Sequence, residues 1–184
     1  ATALNRFREG DNAMKARLLG IASALVLGLV GAQAQAQDTL PPDKAKFRAL
    51  YKEMVETDTS ITTGSCTALA GKIEKHMLAN GFQQSELTQF SVPEHPKEGG
   101  IVAVFPGTSK TLKPMLLLGH IDVVVAKRED WTRNPYTLFE EDGYFYGRGT
   151  SDMKALAAIW VDMLERFRAE GYKPKRTIKL ALTC

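Results

Sequence analysis

Two cysteines among 184 residues exclude a disulfide-framework fold. Cys66 and Cys184 read as lying in a helix and a core strand, and although export permits a disulfide, their spacing predicts no pairing. No apolar run reaches the roughly 20 residues of a membrane-spanning helix, since the run from Leu18 to Val30 falls well short. Internal repeats are absent, and the only low-complexity stretch is the Ala/Gln tract around residues 32–36. An excess of one charge is missing too. The formal charge is +3, and four of the basic side chains (Arg6, Arg8, Lys15, Arg17) with two acidic ones (Glu9, Asp11) precede residue 37, so the remainder carries +1. That near-neutral balance argues against a nucleic-acid surface or an anionic-membrane surface.

What is there begins with targeting. Met14 is followed by Lys15 and Arg17, the apolar run, and Ala32-Gln33-Ala34-Gln35-Ala36, which is a secretory signal peptide in its proper order over residues 14–36. Cleavage is expected after Ala34 or Ala36, and the competing reading is an uncleaved amphipathic or membrane anchor. Residues 1–13 have no assigned role. The expected location is secreted or periplasmic, with residues 37–184, about 150 in number, enough for a domain with a real core. Thr177 to Cys184 reads as a core strand with no polar tail behind it. Domains seldom stop inside such a strand, so the expectation is an amino-terminal fragment of a longer protein.

Between Pro42 and Glu56, apolar Phe47, Leu50, Tyr51, Met54 and Val55 recur at helical spacing. Small polar residues from Thr57 to Gly64 lead to a second helix ending at Asn80-Gly81, where glycine suits the left-handed cap. Ile101 to Phe105 predicts a strand, and Met115 to Leu118 a buried one. Leu138 to Tyr146 predicts a hairpin turning at Asp142-Gly143. From Lys154 to Leu164 the chain is apolar on almost every side, which predicts a largely buried helix ending at Gly171. Strand, connection, helix and strand at this spacing predict an α/β fold, a layered mixed or mainly parallel sheet with flanking helices.

His120 and Asp122 fall at the carboxyl end of the apolar strand, where an open α/β sheet places its ligands. Two apart, their side chains project from one face, so Asp122 can orient His120 while His120 binds a metal. Asp152 follows thirty positions later on the glycine-rich turn Gly147-Arg148-Gly149-Thr150-Ser151-Asp152-Met153-Lys154. A carboxylate there can bridge two cations about 3.5–4 Å apart. Alone, the His-x-Asp pair is more often structural, and Asp152 is as ambiguous, since an aspartate at a helix start is often just a cap. Together they are costly to bury unless they are paired or bound to metal.

The run Met115-Leu116-Leu117-Leu118-Gly119-His120-Ile121-Asp122-Val123-Val124, with Trp131, Pro135-Tyr136 and the turn from Tyr146 to Lys154, resembles the co-catalytic zinc metallopeptidase family of aminoacylase, acetylornithine deacetylase, succinyl-diaminopimelate desuccinylase and glutamate carboxypeptidase. The resemblance covers roughly Pro42 to Cys184. It implies a zinc-exopeptidase-like catalytic domain over residues 37–184, truncated and without its lid domain. It also implies two zinc ions, His120 on one, Asp152 bridging both, and Asp122 as the catalytic residue beside His120. A cis peptide between Asp152 and Met153 belongs to the same pattern. After a strand like Ile178 to Cys184 such proteins carry two adjacent acidic residues, a general base and a zinc ligand. Those residues, the remaining ligands and the lid that contacts substrate and often dimerises would lie beyond Cys184.

The implied function is zinc-dependent hydrolysis of a peptide or N-acyl amide bond beside a free carboxylate, with a small peptide or N-acyl amino acid as substrate and the fragment itself inactive. The alternative is a non-catalytic periplasmic binding or scaffold module in which the three residues form a structural polar cluster. His76, with no partner carboxylate at a telling spacing, reads as an ordinary surface or half-buried histidine. His95, in a Pro-Glu-His-Pro loop, reads as solvated. Trp131 and Tyr136 either line the substrate cleft or pack the connection, and Arg148 is expected to hold the motif turn.

Overall fold

The computed structural model describes residues 40–184. The signal-peptide reading of residues 14–36 and the unassigned residues 1–13 lie outside the described residues. Helix α1 (Pro42–Glu56) opens on a proline, whose fixed φ and missing N–H cost nothing in a first turn. Its buried stripe is Leu50, Tyr51, Met54 and Val55. Helix α2 (Cys66–Ala79) starts at Ser65, whose hydroxyl accepts the Ala68 N–H at 3.1 Å. It ends at Asn80, with Gly81 at φ +91°, a left-handed conformation that glycine adopts without a Cβ penalty.

Strands β1 (Leu87–Val92), β2 (His95–Phe105), β3 (Met115–His120) and β6 (Ile178–Thr183) form one sheet in the order β1-β2-β6-β3. β1 and β2 are antiparallel, as are β2 and β6, whereas β3 and β6 run parallel. The sheet is therefore mixed. Strands β4 (Phe139–Glu141) and β5 (Tyr144–Tyr146) form a separate hairpin with Asp142 at φ 51° and Gly143 at φ 79°. Two consecutive positive φ values are what a tight Asp-Gly hairpin turn requires. Helix α3 (Lys154–Ala169) then supplies the crossover from β3 to β6. Leu69, Ile73 and Met77 of α2 and Val161 and Leu164 of α3 pack with Ile101, Ala103, Leu180 and Leu182 of the sheet into one core. Among the described residues no helix is long and apolar enough to cross a membrane.

Several expectations change. β3 is an edge strand and not a buried one. Leu116 and Leu118 are 57% and 61% exposed, because among the described residues β6 alone pairs with it and the helices cover the other face. Helix α3 likewise leaves Leu156 and Ile159 exposed, so its apolar surface is only partly covered. β1 is an additional strand, and β2 begins six residues before Ile101, at His95, which is exposed and has Nδ1 3.4 Å from Glu98 Oε1. Cys66 and Cys184 are disulfide-bonded, with Cα atoms 5.8 Å apart. The central position of β6 carries its carboxyl end to the first turn of α2, a proximity that a separation of 118 residues hides.

His76 does have a partner carboxylate. Its Nδ1 lies 2.7 Å from Oε1 of Glu165 on α3, and Glu165 is fully buried. Lys46 Nζ approaches the other Glu165 oxygen at 3.4 Å. The hydrogen bond to Glu165 raises the His76 pKa above its ordinary value, against the opposing effect of burial.

Candidate active site

The site lies where the parallel pair β3/β6 ends. His120 pairs with Thr183, and the Ile121 N–H donates to the Thr183 carbonyl at 2.8 Å, so the register holds one residue past the strand. Gly119 allows a close approach there. A Cβ would meet the Met153 terminal methyl and the edge of the Trp160 ring, each at 2.9 Å, so any larger residue would have to displace these side chains.

The second segment arrives from the β4/β5 hairpin. Gly149, at φ +85°, sits where a Cβ would come within 2.6 Å of Val123 Cγ1, which lets the Gly-rich turn lie against the strand end. The Thr150 hydroxyl donates to the Gly147 carbonyl at 3.0 Å, and the Lys154 N–H to the Gly149 carbonyl at 3.2 Å. The peptide between Asp152 and Met153 is cis, as the resemblance implies. Arg148 holds the turn, its guanidinium carbon 5.3 Å from the centre of the Trp131 ring and its N–H bonded to the Pro135 carbonyl at 2.6 Å. The Tyr136 hydroxyl accepts the Ala126 N–H at 3.2 Å, so Tyr136 packs the connection.

These two segments bring His120, Asp122 and Asp152 together. The chain turns after His120, so Asp122 is not on the strand itself, yet its Oδ1 lies 3.2 Å from His120 Nδ1. On the other side of the ring, His120 Nε2 is 3.1 Å from Asp152 Oδ1. A proton on Nδ1, shared between the Asp122 backbone carbonyl at 3.3 Å and its carboxylate, leaves the Nε2 lone pair directed toward Asp152. Two donors each about 2.0–2.1 Å from one tetrahedral zinc stand about 3.3 Å apart, so the observed separation fits a shared ion. Imidazole and carboxylate are also the donor types zinc takes. The Asp152 side chain is 87% exposed and those of His120 and Asp122 about 40%, which leaves the site open to further ligands. Among the described residues, no group of three or more His, Cys, Asp or Glu is arranged to hold a metal ion.

The site also contains residues that sequence reasoning passed over. Lys154 is completely buried, and its ammonium donates to the Thr57 carbonyl at 2.7 Å. Burial pushes its pKa down to about 8, against the pull of the Asp58 and Asp122 carboxylates. Burial pushes Asp58 up, but hydrogen bonds from Thr63 and Ser60 and the Lys154 charge outweigh it and hold the carboxyl below its ordinary value. Tyr51 donates its hydroxyl to the Thr150 carbonyl at 2.8 Å, and burial pushes its pKa to about 12. The only signal for these in the sequence is the small polar run after α1. Beside Asp122 opens a cleft of about 650 Å³ whose walls include Ile61, Pro96, Val124, Val125 and Cys184.

Residues 116–184 match the model of peptidase family M20/M25/M40. Aminoacylase-1 from Sus scrofa is 40% identical over 80 residues, which cover 43% of this chain and 20% of that protein. The N-fatty-acyl-amino acid synthase/hydrolase PM20D1 from Bos taurus is 31% identical over 182 residues, covering 92% of this chain and 35% of that protein. The chain thus spans about a fifth to a third of the length of these relatives. Among solved structures, the M20 family metallo-carboxypeptidase Sso-CP2 from Sulfolobus solfataricus superposes with a TM-score of 0.63 at 18% identity, over 78% of this chain and 31% of that one. At that identity the likeness speaks to the fold alone, and the chain spans about a third of that structure. The motif strand, the Gly-rich turn and the mixed sheet all fall within these matches, and the chain belongs to peptidase family M20/M25/M40.

Proposed function

We propose that the protein containing this chain is an exported zinc-dependent hydrolase that cleaves a peptide or N-acyl amide bond beside a free carboxylate. The observation that carries this reading is the line Asp122 Oδ1 to His120 Nδ1 at 3.2 Å and His120 Nε2 to Asp152 Oδ1 at 3.1 Å. His120 and Asp152 are the residues that would hold the metal, and Asp152 has a second carboxylate oxygen available for a further cation. When bound, the metals polarise the scissile carbonyl and lower the pKa of a water toward about 7. Asp122 keeps the His120 proton on Nδ1 and fixes the ring orientation. The apolar wall of the cleft beside Asp122 gives the acyl group or side chain of the substrate a dry surface. The names of aminoacylase-1 and the N-fatty-acyl-amino acid synthase/hydrolase support an N-acyl amino acid as that substrate, and the peptidase family supports a small peptide.

The remaining ligands and the general base come from outside the described residues, so residues 37–184 alone do not turn over substrate. The same reading includes a lid domain that closes on substrate and joins two copies. Export is supported by the order of residues 14–36 and by the Cys66–Cys184 bond, which needs an oxidising compartment to persist. The test is elemental analysis and kinetics of the full-length protein. Two zinc per chain and release of the amino acid from N-acyl amino acids or dipeptides are expected, with both lost in Asp152→Ala. Full activity in that variant refutes the reading. A secreted product starting at Gln35 or Gln37 by mass spectrometry checks the export step, and an intact Met14 terminus in the cytosol refutes it.

A further inference from the structure

The two ligand-bearing segments are far apart in sequence, and one loop touches both. Residues 57–64, between α1 and α2, are braced internally. Asp58 accepts the Ser60 N–H at 2.8 Å and the Thr63 hydroxyl at 2.5 Å, and the Gly64 N–H donates to the Ser60 carbonyl at 2.9 Å. A Cβ on Gly64 would strike Ser60 N at 2.4 Å, so the loop closes on itself with no room to spare.

From this braced loop Thr59, 1% exposed, donates its hydroxyl to the Ile121 carbonyl at 2.7 Å. Ile121 is the residue between His120 and Asp122. The Thr59 carbonyl receives the Val123 N–H at 3.4 Å, and Ser60 bridges Val123 in parallel. On the other side, the Thr57 carbonyl takes the buried Lys154 ammonium at 2.7 Å, two residues after Asp152. Just before the loop, Tyr51 of α1 donates to the Thr150 carbonyl at 2.8 Å, two residues before Asp152. None of these hydrogen bonds goes to the side chain of His120, Asp122 or Asp152.

We propose that residues 57–64 form a strap that sets the distance between His120 Nε2 and Asp152, with Thr59, Lys154 and Tyr51 as positioning residues for the metal site. This rests on the functional reading above. The physical reason is a difference in tolerance. A single buried hydrogen bond contributes modestly to the stability of a whole domain, whereas a metal site requires its ligands held within about 0.5 Å. Loss of one tie therefore registers in metal affinity before it registers in folding.

The test uses the full-length protein loaded with zinc, or with cobalt as a spectroscopic probe. Thr59→Val removes the hydroxyl and keeps the volume, and Thr59→Ser keeps the hydroxyl. Thr59→Val should bind zinc about 10–100-fold more weakly in chelator competition and shift the cobalt visible spectrum, with metal-free denaturation close to wild type. Thr59→Ser should restore both. Tyr51→Phe, which loses only its hydroxyl, should weaken zinc in the same direction, and it carries the test alone if Thr59→Val does not fold. Wild-type zinc affinity and cobalt spectrum in Thr59→Val or, should that variant not fold, in Tyr51→Phe overturn the strap, as does equal weakening in Thr59→Ser. If the wild type takes up no metal, the functional reading falls and the strap with it. If the wild type binds zinc and Asp152→Ala does not, while Thr59→Val is unchanged, the strap alone is wrong.

Discussion

Two of the histidine–carboxylate pairs among the described residues, His76–Glu165 and His120–Asp152, are chemically alike and built for opposite ends. His76 and Glu165 meet at 2.7 Å behind the sheet with Glu165 fully buried, Lys46 near its second oxygen and Asn80 closing the helix end beside the ring. His120 and Asp152 meet at 3.1 Å with the Asp152 side chain 87% exposed. In the first pair each group has the other as its partner, the carboxylate fully buried and the imidazole 22% exposed. In the second, one face of the ring is fixed by Asp122 and the other is offered outward. A completed pair ties elements together, and an incomplete one waits for something to bind.

The sharpest way to break this contrast is to truncate both carboxylates. Glu165→Ala should destabilise the fold by roughly 1–3 kcal/mol, the usual cost of leaving a partly buried group without its hydrogen-bond partner. Asp152→Ala should change metal-free stability by less than about 0.5 kcal/mol. Urea denaturation of the two variants in chelator measures both, and similar losses would erase the distinction. Next in size, Asp122→Asn in the full-length protein should cost 10–100-fold in turnover or zinc affinity with the fold intact, read from kinetics beside zinc content. The smallest effect concerns pH. The folded pKa of His76 is raised, so its pairing contributes in full below about pH 6.5 and is lost as pH rises through the higher folded value. His76→Gln keeps a donor toward Glu165 without titrating. The stability gap between wild type and His76→Gln should therefore be about 1 kcal/mol larger at pH 5.5 than at pH 9, and a gap independent of pH would show that Glu165 does not hold the His76 proton.

The sequence makes legible those elements whose signals are local. Pro42 and the stripe through Val55 mark α1, Asn80-Gly81 ends α2, and Asp142-Gly143 turns the hairpin where two positive φ values are found. The convergence of His120, Asp122 and Asp152 is also legible, because a strand end and a Gly-rich helix start each fix where a side chain goes. β1 is not, since five of its six residues are exposed and give no apolar alternation. Nor are contacts between distant elements. The Cys66–Cys184 bond, the His76–Glu165 pair and the tie from Lys154 to Thr57 join residues 118, 89 and 97 positions apart. Lys154 is the least legible, because nothing in the sequence at the start of this helix announces that its ammonium is buried against the Thr57 carbonyl.

The open edge of β3 has a consequence for handling the chain by itself. Met115, Leu116 and Leu118 are between 44% and 61% exposed on a strand that, among the described residues, β6 alone pairs with. Unpaired N–H and C=O groups beside exposed leucines are a template for another strand. Concentrated solutions of this chain alone are therefore prone to edge-to-edge aggregation through residues 115–120, and colloidal behaviour is the first thing that a charged residue in place of Leu116 or Leu118 would improve.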